Sequence, residues 1–344
     1  MKILILSHYF FPSIGGIEVT SELFADHFAK KGHLVKVLTW SKDPTAKVFG
    51  YEVIRDPGPK KVIKAYLWAD IIFENNPCLR LAWPGLFIRK PFVISIHTWI
   101  SRSDGNLGIQ DRLKIWRLKR SSKTIAASNA LKRKTGLDSI VIPNPYRKDL
   151  FKILPQTQRV KQYIFLGRLV SDKGAEMAIM AIAHLKELLL TIKPDIRINL
   201  TIVGEGPQRT SLEKLVKELQ LEREVEFTGT LLGEKLVFSL NQHRFILIPS
   251  VWEEPFGLIA LEGMACGCIP IASNGGGLPE AVGPGGVLFQ RGDMGDLVNH
   301  MQKLLQDPLQ EAKCRNAAPA HLAAHHSSFI AERYLDVLTK AVNA

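Results

Sequence analysis

Two glutamates, Glu254 and Glu262, lie eight residues apart and form the most specific chemical pattern in the chain. If a helix begins near Gly257, Glu262 lies more than one turn inside it, and the free amides of Gly257 and Leu258 face an anion. Glu254 can then reach a sugar hydroxyl, and Glu262 a ribose diol. The alternative, two solvated charges, fits less well, because the apolar residues 258–261 predict a buried helix in which a carboxylate needs a partner.

Residues 167–174 form a loop with a glycine at each end and two cations, Arg168 and Lys173, between them. The loop follows a predicted strand and precedes a predicted helix, so both cations lie beside a helix N-terminus. There they can hold a diphosphate through charge-assisted hydrogen bonds. The alternative is a solvated loop whose lysine faces water.

Two further glycine-rich loops follow predicted strands. Residues 15–18 include Gly15 and Gly16 at the start of a helix, where a ligand can approach the bare backbone and negative charge is favoured. The pattern is not the G-x-G-x-x-G of dinucleotide sites, and a tight turn is the alternative. Residues 274–280 contain three glycines, which permit close backbone approach or a flexible turn.

The elements that position these loops alternate between strand and helix. A first series of predicted strands covers residues 2–7, 34–40, 71–73, 92–97 and 124–127, and a second covers 162–167, 198–203, 225–227, 245–249 and 269–272. Short apolar runs separated by helices indicate parallel sheets covered on both faces. We therefore predict an α/β protein with two Rossmann-like doubly wound domains.

The predicted domains cover residues 1–155 and 156–326, and a helix at 327–344 could pack back on the first domain. Ligands of doubly wound sheets bind at the carboxyl ends of the strands, so we expect the site in a cleft between the domains. Charge also divides the chain: residues 1–155 hold 26 Lys and Arg against 12 Asp and Glu, and the remainder 19 against 21. The basic half suggests an anionic partner, or simply a solvated surface.

The four cysteines include a C-x-C pair, Cys266 and Cys268, without a second pair at zinc spacing. We predict buried structural thiols, which fits a reducing compartment. The first apolar run, residues 3–6, is too short for a signal peptide, and nothing approaches the length of a membrane-spanning helix. These features predict a cytoplasmic protein that could lie at the inner face of the membrane.

Five segments together resemble the retaining GT-B glycosyltransferases of family 4, the glycosyl transferases group 1. They are residues 15–18, 167–174 and 204–207, the E-x7-E pair Glu254 and Glu262, and residues 277–280. The resemblance covers essentially the whole chain. It implies a GT-B fold with an acceptor-side N-terminal domain, a donor-binding C-terminal domain and an interdomain cleft. It also implies sugar transfer with retention of anomeric configuration and a nucleoside diphosphate leaving group.

The resemblance further implies roles for single residues. It assigns catalysis to Arg168, Lys173, Glu254 and His97, and donor binding to Gly16, Gly167, Leu232, Glu254, Phe256, Gly257, Leu258 and Glu262. Many members carry Asp after the cleft histidine, whereas Thr98 follows His97 here. A hydrogen-bonded core histidine is therefore the alternative at this position.

The basic segment 109–134 holds nine Lys and Arg, and Ile109, Leu113 and Trp116 form an apolar stripe at helical spacing. A basic amphipathic helix is typical of membrane surfaces, and a lipid-linked acceptor would then fit. The alternative is an ordinary surface helix whose stripe lies in the core.

We predict transfer of a hexose from a nucleotide sugar, UDP-glucose first and GDP-mannose second, to a saccharide or lipid-linked acceptor in cell-surface or exopolysaccharide synthesis. No cofactor or metal is predicted, because Arg168 and Lys173 can stabilise the diphosphate and the chain has no D-x-D pair. The alternatives are a nucleotide-sugar epimerase, a nicotinamide-dependent dehydrogenase and a non-catalytic module that binds an anionic partner. Nucleic acid is not a predicted partner, since no recognised motif or aromatic platform accompanies the basic residues.

Overall fold

The computed structural model describes residues 1–13, 15–100, 108–192 and 198–343. The chain divides into two compact units, one of Met1–Pro145 with His325–Ala344 and one of Tyr146–Ala324. The two units therefore divide after residues 145 and 324. The sequence pattern predicts these divisions after residues 155 and 326.

The first unit is built on a parallel sheet. The strands are β1 (Lys2–Leu6), β2 (Leu34–Thr39), β3 (Glu52–Arg55), β4 (Ile71–Asn75), β5 (Phe92–Ile96), β6 (Lys123–Ala126) and β7 (Ile140–Val141). Across the described residues of this unit they pair in the order β3-β2-β1-β4-β5-β6-β7. β1 and β4 are almost wholly buried, as strands covered by helices on both faces must be.

Helices connect these strands. They are α1 (Gly16–Lys30), α2 (Pro59–Trp68), α3 (Leu79–Ala82), α4 (Ile109–Leu118) and α5 (Asn129–Thr135). Local sequence sets their ends: the Ser128 hydroxyl accepts the Leu131 amide at the start of α5, and Gly136 ends it with φ of +65°. α1 is followed by Gly32, also at positive φ.

The second unit repeats the plan. Its strands are β8 (Lys161–Leu166), β9 (Leu200–Val203), β10 (Val225–Gly229), β11 (His243–Ile248), β12 (Ile269–Ser273) and β13 (Val287–Phe289). Its helices are α6 (Ala175–Ile192), α7 (Arg209–Glu218), α8 (Gly233–Gln242), α9 (Leu258–Ala265), α10 (Leu278–Val282), α11 (Met294–Gln306) and α12 (Pro308–Ala323). The strands are parallel in the order β10-β9-β8-β11-β12-β13. Apolar side chains on one sheet face pack with α6, α7 and α11, and those on the other with α8, α9 and α10.

The last helix, α13 (Ser327–Val342), belongs to the first unit. Its Tyr334 is fully buried, with the ring centroid 4.3 Å from that of Phe24 and 5.7 Å from that of Phe73. The end of the chain therefore completes a core that begins with β1 and α1.

Both sheets have a switch point, where the chain leaves the centre in one direction and later returns to build in the other. It lies between β1 and β4 in the first sheet and between β8 and β11 in the second. Ligands of doubly wound sheets bind outside the carboxyl ends of the strands at this point. The topology thus selects the loops after β1, β4, β8 and β11.

The predicted α/β class with two doubly wound sheets is confirmed. The predicted strands do not include the edge strands β3, β7 and β13, since short edge strands carry little apolar signal. The basic segment 109–134 is not one helix: α4 ends at Leu118, and the buried strand β6 occupies the middle of the segment. All four cysteines are buried and unpaired by disulfides, as expected.

Candidate functional site

The loops after β8 and β11 are joined at the switch point of the second sheet. The backbone amides of Val251 and Trp252 donate to the Asp172 carbonyl at 3.0 and 3.3 Å. Gly174 has φ of +74°, and a Cβ there would overlap the Pro249 carbonyl oxygen. Gly174, the last residue of the loop 167–174, is therefore required so that this loop and the loop after β11 can pack together.

This packing brings Lys173 and Glu254 into a partly buried ion pair. The Ser250 hydroxyl donates to the same Glu254 oxygen at 2.9 Å, and the Trp252 ring lies 5.7 Å from the Lys173 ammonium. The side chains are only 17% and 13% exposed, so water screens their charges weakly. A cation and a carboxylate that are 81 residues apart in the chain are thus held in contact at the switch point.

Ser250 and Trp252 were missed by the sequence analysis. Both lie just after β11, a strand at the switch point, and that position was the available signal. Ser250 is itself held, because the Ser273 hydroxyl donates to its carbonyl at 2.7 Å. The chain of contacts runs from β12 to the carboxylate of Glu254.

The three-glycine loop after β12 serves the neighbouring loop. The Gly277 amide donates to the Glu254 carbonyl at 2.7 Å, and a Cβ at Gly276 or Gly277 would overlap the backbone of residues 254–255. The three-glycine pattern predicts close backbone approach, and the backbone that approaches is the protein's own. They position Glu254.

The segment from Phe256 to Leu258 turns the chain into α9. Gly257 has φ of +115°, and a Cβ there would crowd the Leu278 side chain, so only glycine fits. The Phe256 ring is buried in the core, which leaves its backbone for any ligand contact. α9 begins at Leu258, and the Ala260 amide donates to the Gly257 carbonyl at 3.0 Å, so the amides of Gly257 and Leu258 come before the first hydrogen bond of the helix.

Glu262 lies within α9, one turn and more from its start, as predicted. Burial raises the pKa of its carboxyl group to about 7, while the positive charge of Arg147 acts in the opposite direction. This carboxylate is therefore poised between its neutral and charged forms near neutral pH.

The other residues assigned to the second unit lie on loops at the same sheet edge. Gly167 and Arg168 follow β8, and Arg168 is exposed. Leu232 is 54% exposed and precedes α8, in the loop after β10. Because parallel strands share one carboxyl edge, these loops flank the Lys173–Glu254 pair on the side where ligands bind.

Two assigned residues belong to the first unit. Gly16 is exposed and begins α1, just after the loop that follows β1. His97 follows β5 and is only 5% exposed. Its ring nitrogens lie within hydrogen-bond distance of Asn75, Ser95 and Asn144, and burial lowers its pKa to about 4.

The surface of α4 departs from the usual amphipathic arrangement. Its apolar stripe is outward: Ile109, Leu113 and Trp116 are 81%, 48% and 40% exposed. The buried face instead carries Arg117, whose Nε donates to the Glu74 carboxylate at 2.6 Å. The alternative that places the stripe in the core is therefore wrong.

Two absences concern the described residues. Within them, no three His, Cys, Asp or Glu side chains form a group that could hold a metal ion. None of the helices described is long and apolar enough to cross a membrane.

Known proteins resemble the chain in sequence. D-inositol 3-phosphate glycosyltransferase of Stackebrandtia nassauensis is 27% identical over 284 residues, covering 73% of this chain and 63% of that protein. The enzyme of the same name in Corynebacterium jeikeium is 33% identical over 172 residues, covering 48% of this chain and 40% of that protein. The chain thus matches less than two thirds of the length of either relative.

The fold is shared with a solved structure. HepE of Anabaena, in complex with UDP and glucose, superposes with a TM-score of 0.81 at 21% identity, covering 99% of this chain and 100% of that one. At this identity the likeness concerns the fold, which is GT-B as the resemblance implies.

A family model described as glycosyl transferases group 1 matches residues 147–321. The matched segment coincides with most of the second unit and includes its sheet, the Lys173–Glu254 pair and Glu262. Since the match covers more than half of the chain, the chain belongs to the glycosyl transferases group 1 family.

Proposed function

We propose that the protein is a retaining glycosyltransferase of family 4, which moves a hexose from a nucleotide sugar to a saccharide or lipid-linked acceptor. The observation that carries the proposal is the Lys173–Glu254 pair at the switch point of the second sheet. A diphosphate needs positive charge and a sugar needs hydrogen-bond acceptors, and this pair offers both at one point.

Arg168 and Lys173, the two cations of the loop 167–174, would stabilise the leaving diphosphate. Lys173 is held by Glu254, so its ammonium would already be in place for a phosphate. Arg168 is exposed, and no ion pair involves it among the described residues, so its guanidinium is available for the same anion. Charge fixed in place before the reaction is the most effective kind of stabilisation, and this arrangement requires no cofactor.

The remaining assigned residues would bind the rest of the donor. Glu254, freed from part of its contact with Lys173, accepts hydrogen bonds from sugar hydroxyls, and Glu262 accepts them from the ribose. The amides of Gly257 and Leu258 take a phosphate at the start of α9. Leu232 packs on the base. Donor contacts through backbone are proposed for Gly16, Gly167 and Phe256.

UDP-glucose is the first choice of donor and GDP-mannose the second. The bound UDP and glucose in the structure of HepE support the first choice. The two sequence relatives are named D-inositol 3-phosphate glycosyltransferase, and the phosphate compound in that name supports an anionic acceptor for the basic first unit. We place the reaction in cell-surface or exopolysaccharide synthesis.

The donor site is tested by thermal unfolding of the full chain with UDP, GDP, ADP, UDP-glucose, GDP-mannose and NAD. A ligand at about 100 times its dissociation constant adds roughly 2.7 kcal/mol to the free energy of unfolding. We expect stabilisation by UDP and UDP-glucose. Folded protein that none of these nucleotides stabilises would contradict the proposal, and stabilisation by NAD alone would favour a dehydrogenase.

Product analysis separates transfer from epimerisation, the second candidate on this fold. With UDP-glucose and an acceptor mixture, a transferase releases UDP and forms a glycoside with the donor's anomeric configuration. An epimerase instead converts the sugar without building a glycoside, and that result would overturn the transferase assignment.

We also propose that α4 attaches the first unit to an anionic membrane surface, at the inner face of a membrane. The exposed stripe of Ile109, Leu113 and Trp116 supplies apolar area, and the Arg120 guanidinium lies 4.3 Å from the centre of the Trp116 ring. The buried Arg117–Glu74 ion pair anchors the opposite face of the helix. Apolar side chains directed outward among Lys and Arg match an anionic lipid interface.

Co-sedimentation with phosphatidylglycerol vesicles tests this attachment. We expect binding at low salt that weakens as salt rises, because each Lys or Arg near the surface contributes about 1 kcal/mol. Ile109→Ser with Leu113→Ser should remove most of the binding. Leu309→Ser, at an equally exposed leucine of the second unit, is the control and should bind normally. Equal binding of all forms, or binding to neutral vesicles alone, would contradict the proposal.

A further inference from the structure

A buried polar cluster lies at the switch point of the first sheet. Asn75 ends β4, and Ser95 and His97 belong to or follow the adjacent β5. These three side chains and Asn144 are all less than 8% exposed. Buried polar groups must satisfy one another, so their hydrogen-bond directions can be worked out.

The amide of Asn75 can have only one orientation. Its Nδ2 lies 3.1 Å from the Ile17 carbonyl oxygen, which cannot donate, so this atom must be the NH2 group. The same group reaches the hydroxyls of Thr20 at 3.2 Å and Ser21 at 2.7 Å. The Asn75 carbonyl oxygen therefore faces the other way, towards β5, and accepts from the Ser95 hydroxyl at 2.8 Å.

This orientation fixes the tautomer of His97. Its Nε2 lies 2.7 Å from the Asn75 carbonyl oxygen and must donate to it, so Nε2 carries a proton. Burial disfavours a second, charging proton on the ring. The Nδ1 atom is then an acceptor. The side-chain oxygen of Asn144, 2.7 Å from it, cannot donate, so the Asn144 amide must be turned to place its NH2 group towards Nδ1.

The cluster ends on the first turn of α1. Three side-chain donors converge on the Ile17 carbonyl oxygen: Asn75, Thr20 at 2.9 Å and Ser21 at 2.9 Å. α1 begins with Gly16 after an extended Gly15, and among the described residues no side chain caps this helix. Because glycine backbone is the most costly to order, these hydrogen bonds help to hold the first turn in place.

We infer that Asn75 and His97 are positioning residues, which hold the first turn of α1 and thereby the Gly15–Gly16 backbone in the conformation that turnover requires. The inference rests on the proposed function only in that Gly16 contacts the donor. His97 acts through Asn75, and both of its ring nitrogens are occupied within the first unit. Direct proton transfer by His97 is not part of this assignment.

Nitrogen-15 NMR of the wild-type protein tests the assigned tautomer directly. The imidazole signals of His97 should show a protonated Nε2 and an unprotonated Nδ1, unchanged between about pH 5.5 and 8. A proton on Nδ1, or titration of His97 inside this range, would overturn the inference. This measurement needs no substrate and no variant.

A variant tests the positioning effect. Asn75→Ala removes the link between His97 and α1, and we expect kcat/KM for the donor to fall about 10- to 100-fold, the effect of a small misplacement at a site. The control is Ser139→Ala, which breaks a buried hydroxyl pair of 2.8 Å with Thr124 elsewhere in the same unit. Both variants lose a buried hydrogen bond, but only the first should lose turnover when assayed well below its unfolding temperature.

UDP affinity, measured by calorimetry, separates the two proposals. If wild type binds UDP, and N75A binds it within about twofold while losing kcat/KM, the positioning role is supported. If wild type binds UDP and N75A turns over normally while folded, the positioning inference fails and the proposed function stands. If folded wild type binds neither UDP nor any other nucleotide of the panel, the proposed function fails, and the NMR result still decides the tautomer.

Discussion

Lys173 and Glu254 neutralise each other, and the Ser250 hydroxyl donates a hydrogen bond to the same carboxylate. The pair keeps a cation at the switch point without leaving an isolated charge in a partly buried place, which would be costly. The residues that do chemistry in the proposed reaction therefore also stabilise each other before the donor arrives.

Replacing Lys173 with alanine should abolish most turnover. Loss of one preorganised electrostatic donor costs about 10²–10³ in kcat, and the substitution also leaves Glu254 without its cation. Lys214→Ala is the matched control, since Lys214 forms an exposed pair with Glu218 on α7. Steady-state kinetics with the identified donor measure both, and a K173A enzyme with near-normal kcat would remove Lys173 from the proposed mechanism.

The raised pKa of Glu262 leads us to expect a specific pH dependence of the free energy of unfolding. Its pKa is about 7 in the folded protein against 4.5 for the ordinary carboxyl group, so the folded state keeps a proton that the unfolded chain releases. Stability from this group is present below pH 4.5 and is lost as the pH rises to about 7. The 2.5-unit difference corresponds to about 3 kcal/mol.

Denaturant unfolding at pH 5 and pH 8 measures this effect. Relative to Glu262→Gln, the wild-type protein should lose about 3 kcal/mol of unfolding free energy between the two pH values. Glu234→Gln, at an exposed position on α8, should leave the wild-type dependence unchanged. An identical pH dependence in wild type and E262Q would contradict the raised pKa.

At the level of loops and helices, glycines let the strand-end loops of the second sheet touch. Gly204 packs on the Gly167 carbonyl, Gly174 on that of Pro249, and Gly276 and Gly277 on the backbone after β11. Each contact joins loops from neighbouring strands. The glycine-rich motifs therefore build the rim of the site before they meet any ligand.

Gly174→Ala should be markedly destabilising, because its Cβ would overlap the Pro249 carbonyl oxygen as well as strain a positive φ. Gly292→Ala is the control, since Gly292 has a similar φ of +81° with nothing within 4 Å of the added Cβ. We expect G174A to lose about 1–3 kcal/mol more than G292A, the usual cost of overpacking. Equal losses in thermal or denaturant unfolding would mean that strain alone accounts for both.

α4 shows that a local sequence pattern can predict a helix correctly without predicting which face of the helix is buried. Its stripe has helical spacing, and α4 is a helix, yet the stripe faces outward and a buried ion pair faces inward. The strand β6 then interrupts the basic segment, because its position between β5 and β7 buries Ile125 and Ala126. Spacing alone defines a face of a helix, not what covers it.

At the scale of the whole chain, the two ends meet in one unit. α13 follows the second unit in the chain but packs on α1 and β4 of the first unit. The core of the first unit is therefore complete only when residues of α13 are present. Folding of that unit consequently depends on contacts of very long sequence separation.

Tyr334→Ala should therefore destabilise the first unit strongly. The ring is fully buried against Phe24, and removal of a large aromatic side chain from a core costs about 3–5 kcal/mol. Phe329→Ala on the same helix removes a ring that is 52% exposed and should cost under about 1 kcal/mol. Denaturant unfolding followed by fluorescence checks both, and similar small losses would contradict the packing of α13.

The sequence by itself determined the class of the fold and the loops that carry chemistry. Hydrophobic runs and glycine turns are local signals, and they placed Arg168, Lys173 and Glu254 in loops after strands and Glu262 within a helix. They also carried the resemblance to the family to which the chain belongs. The short edge strands escaped because few of their side chains are buried.

Only the tertiary structure decided which distant groups meet. The Lys173–Glu254 pair, the Asn75–His97 cluster and the return of α13 each join residues far apart in the chain. These contacts depend on strand order and on which side of a sheet an element packs. A period of two or 3.6 residues specifies a face within one element and contains no information about the partner that will cover it.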